Sequence, residues 1–185
     1  MNKNAQLDLF APAHAREYLK RRQTCCFTGH RDLPAGEKLE QKLERTIRRL
    51  MEKGVVYFGA GGAVGFDTLA ARTVLRLRGE FPEIRLILVL PCRNQTAGWP
   101  ARAVKKYWDI LRRANKTVWL SEQYYTGCMQ ARNRYLVDHS GICVCYHKHP
   151  GGTKYTVDYC VRRGVPVINL AENDVADFVE KSGSF

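Results

Sequence analysis

The chain has 185 residues, 45% of them apolar, and 30 Lys and Arg against 18 Asp and Glu give it a formal net charge of +12. That is enough for one ordinary domain with a proper core and too short for two. No apolar run approaches the roughly 20 residues of a membrane span, and the first residues lack a signal-peptide core, so the expectation is a cytoplasmic protein with no membrane partner.

The excess of positive charge favours an anionic partner: a nucleotide, a nucleic acid or an acidic protein. Its spread over several helix faces is equally the pattern of a solvated surface. Seven cysteines, with no C-x-x-C pair among them, lack the usual zinc and redox spacings and read as buried reduced thiols. No metal site is expected.

Residues 1–22 read as an N-terminal basic arm, in which Leu7, Leu9 and Phe10 are candidates to dock on the domain and Ala15–Arg22 forms a short helix. Residues 23–185 read as one domain. Thr24–Thr28 is a short apolar strand running into Gly29, His30 and Arg31. A helix then starts near Pro34–Glu37, with Leu39, Leu43, Ile47, Leu50 and Met51 as one apolar stripe and Gly54 as its stop.

Val55–Phe58 is a second strand. It enters the stretch Gly59–Ala71, in which Gly59, Gly61, Gly62 and Gly65 crowd seven positions before a helix carrying Leu69, Ala70, Val74 and Leu77. Glycines at a strand-to-helix turn let a ligand approach the backbone, and the helix start offers N–H groups and a positive dipole end. The same residues also serve as plain punctuation between elements.

Ile84–Leu90 reads as a strand buried on both faces. The polar loop Arg93–Pro100 follows, then a helix with Trp99, Ala103, Tyr107, Ile110, Leu111 and Ala114 on one stripe. Lys116–Leu120 is a fourth strand, and Tyr124 and Tyr125 sit in the next loop. Cys128–His139 is helical and Gly141–Tyr146 is a strand. The turn HKHPGGT leads to a helix at Lys154–Arg163, a strand at Val165–Leu170 and a last short helix through Val175, Phe178 and Val179.

Six strands alternating with helices predict an α/β fold, a Rossmann-like three-layer sandwich with a mainly parallel sheet. In such folds ligands lie beyond the C-terminal strand ends, at a topological switch point. Thr28–Arg31, Gly59–Asp67, Pro91–Gln95 and Pro150–Thr153 all fall at strand ends.

At these residues the chain resembles a known group. GAGGAVGFDTLAA is similar to the glycine-rich motif of the SLOG superfamily, the SMF/DprA and LOG group. CFTGHR at 26–31, LILVLPC at 86–92, YYTGCMQARNRYLVD at 124–138 and HPGGTKYTV at 149–157 together resemble its YpsA-like branch, a branch of unknown function. The resemblance covers about residues 24–170. It implies a Rossmann-like fold and a pocket for a nucleotide or nucleotide-derived ligand. Relatives also often pair through helices, which makes a homodimer an expectation.

Within that resemblance each residue has a chemical role to test. N–H groups at Gly61–Gly65 and at Gly151, Gly152 and Thr153 are placed to cradle phosphates. Arg31 and Arg132 suit bidentate contacts, and the hydroxyls of Thr28 and Thr153 suit further hydrogen bonds. Asp67 suits a ribose hydroxyl or caps its own helix. Asn133 lines the pocket or stabilises its loop, and His30 touches ligand or is structurally bonded.

The LOG hydrolase signature is only half met: Arg132 matches its arginine, but Asn133 replaces a lysine, and no glutamate follows PGGT at the family's spacing. Asp158 stands nearby at a different offset. The expectation is therefore ligand binding or sensing without the LOG activity. The alternatives are a nucleoside-monophosphate phosphoribohydrolase, with Asp67 or Asp158 assisting, and DprA-like binding of single-stranded DNA. The residues name no cofactor and no catalytic group.

Overall fold

The computed structural model describes residues 12–36 and 38–172. Leu7, Leu9, Phe10, Glu37, Val175, Phe178 and Val179 lie outside the described residues. The strands are β1 (Thr24–Gly29), β2 (Tyr57–Ala60), β3 (Arg85–Leu90), β4 (Lys116–Trp119), β5 (Ile142–Tyr146) and β6 (Val167–Asn169). The helices are α1 (Ala13–Arg22), α2 (Lys38–Glu52), α3 (Phe66–Leu77), α4 (Ala101–Arg113), α5 (Cys128–Asp138) and α6 (Gly152–Arg162).

The six strands form one sheet in the order β4-β3-β2-β1-β5-β6, and every pairing is parallel. The α/β three-layer architecture expected from the alternation of elements is the one observed.

Alternation along the strands sorts side chains to the two faces. Phe27, Phe58, Leu86, Leu88, Leu90 and Val144 join the larger core under α2, α3 and α4. Here Leu39, Leu43, Ile47 and Leu50, four of the five stripe residues of α2, are buried, each contributing about 1.5–3 kcal/mol. Cys26, Cys143, Cys145 and Val89 turn to the other face and join Leu136, Val137 and Cys160 from α5 and α6. All seven cysteines are free and buried. Among the described residues no helix is long and apolar enough to cross a membrane.

The chief departure from the expected boundaries is in β2. The strand runs over Tyr57–Ala60 rather than Val55–Phe58, which brings Gly59 and Ala60 inside the sheet. Gly59 pairs with Cys26 on one side and Ile87 on the other. A Cβ there would lie 2.9 Å from Leu136 Cδ2, so the glycine lets α5 close on the strand.

β1 stands where the strand order reverses. From it the chain runs outward through β2, β3 and β4, then crosses to β5 and β6 on the other side. The crevice of a doubly wound sheet lies at such a point, between the C-terminal ends of β1 and β5.

Candidate functional site

Three loops meet above the ends of β1, β2 and β5. They are the β1 exit at Gly29–Arg31, the glycine turn from Gly61 to Gly65 after β2, and the turn at 147–151 before α6. Their glycines have two different purposes.

In the turn after β2 the glycines are filled from inside the protein. A Cβ on Gly61 would lie 1.5 Å from Arg132 Nη1 and 2.7 Å from Asp67 Oδ2. Gly62, at φ +67°, faces Leu90, Tyr107 and Gln95. Gly65, at φ +81°, packs against the backbone of His30 and Arg31, with Arg31 O 2.3 Å from a Cβ position. The Phe66 N–H donates to His30 O at 3.1 Å, so the start of α3 is closed by the β1 exit. Gly29 in turn leaves room for the Phe66 ring.

Arg132 and Asp67 lie beneath this turn. Each is 6% exposed. The Arg132 guanidinium donates to Gly61 O and approaches Asp67 Oδ2 at 3.4 Å. Asp67 Oδ2 also accepts from the Ala63 N–H at 3.3 Å. Burial pushes the Asp67 carboxyl above its ordinary range, against the pull of Arg132 and the N–H groups of Ala63 and Gly61. Burial also lowers Arg132, against the pull of Asp67. Arg132, matched by resemblance to a ligand-binding arginine, is thus spent on the chain's own backbone and on Asp67, and Asp67 neither caps α3 through Gly65 nor opens to solvent.

A chain of hydrogen bonds runs from this pair to the second glycine turn. Arg132 Nε donates to Asn133 Oδ1 at 2.7 Å, and Asn133 Nδ2 donates to Thr156 Oγ1 at 2.8 Å. Thr156 Oγ1 donates to Gly152 O at 3.1 Å. Asn133 therefore ties α5 to the first turn of α6.

The turn before α6 is the open one. Gly151, at φ +147°, is the residue before the helix and Gly152 is its first, and no side chain caps them. A Cβ on either glycine would meet nothing within 4 Å. Thr153, 5% exposed, closes the floor, and Thr28 lies buried in β1 opposite Cys145 of β5. Arg31 and Lys148 stand on the two loops, both exposed and neither with a carboxylate partner among the described residues. The start of α6 thus presents N–H groups and a positive dipole end to open space, with exposed cations on the two neighbouring loops.

His30 holds this turn in place. Its Nε2 accepts the N–H of Lys148 at 2.9 Å and of His149 at 3.4 Å. The ring stacks on that of His149, centroids 3.8 Å apart. An accepting Nε2 is unprotonated, so His30 is neutral with its proton on Nδ1. Burial pulls its pKa below 6.5, and the neighbouring His149 and His147 add to the shift. Both bonds tie the β1 exit to the turn before α6.

The two carboxylates considered for hydrolysis are both engaged. Asp67 is in its buried pair, and Asp158 on α6 accepts Lys154 Nζ at 2.7 and 2.9 Å. Gln95 is a side chain whose role the sequence did not disclose. Only 6% exposed, it donates from Nε2 to Gly62 O at 2.8 Å and steadies the inner turn. A polar residue in a polar loop carries no mark of such burial. Among the described residues, no group of three or more His, Cys, Asp or Glu is gathered to hold a metal ion.

The chain has known relatives. Residues 25–164 match the family model described as the YspA SLOG family, named YpsA. A UPF0398 protein of Halalkalibacterium halodurans is 33% identical over 129 residues, which cover 68% of this chain and 68% of that one. A UPF0398 protein of Oceanobacillus iheyensis is 28% identical over 148 residues, 77% of this chain and 80% of the relative. Among solved structures, the DNA processing protein A of Helicobacter pylori, described for its single-stranded DNA binding mode, superposes with a TM-score of 0.58. That match covers 92% of this chain and 77% of the other at 19% identity, a likeness of fold. With the family model spanning most of the domain, from β1 to just past α6, the chain belongs to the YpsA (YspA) SLOG family.

Proposed function

We propose that this protein binds a nucleotide or nucleotide-derived ligand, seating a phosphate at the start of α6. The observation that carries this reading is the open Gly151–Gly152 turn at the switch point. Its backbone donors have no side-chain cap, a Cβ on either glycine would meet open space, and the loops that carry Arg31 and Lys148 are joined beside it through His30. Charge-assisted contacts from those two cations and the Thr153 hydroxyl complete an anion cradle. Gly61, Gly62, Gly65, Asp67, Arg132 and Asn133 support the cradle from beneath. With Asp67 and Asp158 both engaged, neither of the two carboxylates considered for hydrolysis stands ready to activate water, so binding or sensing is favoured over N-glycosidic hydrolysis. A cytoplasmic setting and a homodimer belong to the same reading; sedimentation at micromolar concentration tests the second.

A thermal-shift panel of nucleoside mono- and diphosphates, dinucleotides and ADP-ribose-like compounds tests the proposal. A ligand at about 100 times its Kd stabilises by about 2.7 kcal/mol. For a chain of this size that raises Tm by roughly 5–10 °C. No shift with any compound at millimolar concentration removes the reading.

A second reading, single-stranded nucleic acid on the same edge, has its own observation. Tyr124 is 60% exposed and Tyr125 47% exposed, in the loop beyond β4. Arg102 and Lys106 at the start of α4 line an open pocket of about 360 Å³ against Gly65 and Thr68, and no carboxylate pairs with them among the described residues. Exposed aromatics and unpaired cations are what base stacking and backbone tracking use. Fluorescence anisotropy with a labelled oligonucleotide at low salt tests it, and no binding there excludes it.

A further inference from the structure

A parallel sheet is normally covered on both faces, and here, among the described residues, one face is covered only in part. The crossovers β1–β2, β2–β3 and β3–β4 place α2, α3 and α4 on the same side. The other side receives α5, α6 and the flanking α1, which lie over β1, β5, β6 and the inner edge of β3. Residues of β2, β3 and β4 are left as the floor of a cleft of about 240 Å³. Tyr57, Ile87 and Val118 rise from that floor, Tyr135 and Leu136 of α5 form a wall, and Lys20 of α1 closes one end. Beside it α1 buries none of its own residues, and Tyr18 and Leu19 are 59% and 39% exposed.

We infer that the cleft is the docking site of this chain's own segment Leu7-Asp8-Leu9-Phe10. Four observations select this occupant. First, α1, the helix that follows the segment in the chain, is on the right side: it is tied to the end of α5 by Arg21 Nε donating to Ser140 O at 3.2 Å. Second, it reaches. From Pro12 to Lys20 the helix rises about 12 Å. The five residues from Pro12 back to Leu7, extended, span about 17 Å.

Third, its chemistry matches, with apolar Leu7, Leu9 and Phe10 for the floor and Asp8 for the rim that carries Lys20 and Lys116. Fourth, the competitors fit less well. The other end of the chain leaves on the opposite face, where Lys42 Nζ of α2 donates to Leu170 O at 3.4 Å and Glu172 O at 3.0 Å. A second copy needs about 20–30 residues a side for a stable interface, whereas 12 line this cleft.

The segment makes α1 and the bare sheet into one packed layer. It leaves the ligand edge free, because Lys20, Thr24, His139 and Ser140 at the starts of β1 and β5 line the cleft and no residue of the Gly151–Gly152 turn does. The inference is independent of the proposed ligand.

Disulfide trapping in the full chain tests it, since the seven native thiols are buried. Leu7→Cys combined with Ile87→Cys, oxidised at low micromolar protein, is expected to give a bond within one chain. A bond only between chains assigns the cleft to a second copy, and a bond formed instead by Phe178→Cys with Ile87→Cys assigns it to the other terminus; either result, or no bond, overturns the inference. In a second measurement, Leu7→Asp, Leu9→Asp and Phe10→Asp together are expected to lower Tm by about 5 °C and to raise binding of an apolar dye several-fold. An unchanged Tm and dye signal overturn it as well.

Discussion

Gly61→Ala is the substitution whose effect follows most directly from the packing of the inner turn. The added methyl would lie 1.5 Å from Arg132 Nη1 and 2.2 Å from Cζ, so the guanidinium must withdraw. It cannot do so without releasing both Gly61 O and Asp67. The residues are each 6% exposed, and breaking such a buried pair by displacing one partner is destabilising by about 3–5 kcal/mol. At roughly 2–4 °C per kcal/mol for a chain of this size, Tm falls by about 6–20 °C.

The assay is urea or thermal unfolding, run as a cycle with Arg132→Met. Arg132→Met alone leaves Asp67 buried and unpaired, so its loss is expected to be of similar size. On that background Gly61→Ala has little left to displace, and the two effects are strongly non-additive. Additive effects, or a Gly61→Ala loss under about 1 kcal/mol, would refute the claim that this glycine exists to admit Arg132.

The open turn should behave in the opposite way. Gly152→Ala adds a methyl to empty space and is expected to leave Tm within about 2 °C while weakening phosphate-ligand binding at least tenfold, about 1.4 kcal/mol; equal binding by calorimetry counts against the cradle. Stability should also fall in mild acid through His30. Its folded pKa is lowered below 6.5, so the unfolded chain binds the extra proton, and the contribution is full above about pH 6.5 and lost as pH drops below it. The slope from this residue is at most about 1.4 kcal/mol per pH unit. His149, His147 and Asp32 face the same ring, so the comparison is between wild type and His30→Asn, whose profile should be flatter over pH 5–7; parallel profiles would contradict the assignment. For the nucleic-acid reading, Tyr124→Ala with Tyr125→Ala should weaken oligonucleotide binding by about 1–3 kcal/mol per stacked base, and affinity should fall steeply with added salt. Salt-independent binding, unaffected by both changes, would argue against that surface.

Much of the fold was legible because periodicity survives in single residues. The stripe Leu39, Leu43, Ile47, Leu50 and the run Ile84–Leu90 announce a helix and a doubly buried strand, and the alternation of such elements leads to the parallel sheet. The glycine turns were legible as turns but not as different turns. Gly61 and Gly152 look alike in sequence, yet one is filled by Arg132 from a helix 71 residues away and the other faces open space. What fills a glycine's vacancy is a long-range contact, and no local pattern carries it. Arg132 shows the same limit: its residue type suits a phosphate, and only its burial discloses that Gly61 and Asp67 hold it. β2 was placed two residues early because glycine is a poor strand former on its own, whereas Gly59 is kept in the sheet by its neighbours Cys26 and Ile87 and by the close approach of Leu136.

The central claim is that a phosphate-bearing ligand sits at the start of α6. The most direct test is an amide chemical-shift titration of the isotope-labelled chain with a nucleoside phosphate that scores in the thermal screen. Saturable shifts are expected to be largest at Gly151, Gly152, Thr153 and Lys154, with smaller ones at Arg31 and His30 and no change at the start of α4. Saturable shifts centred on Arg102 and Lys106 with the α6 amides unmoved would contradict it.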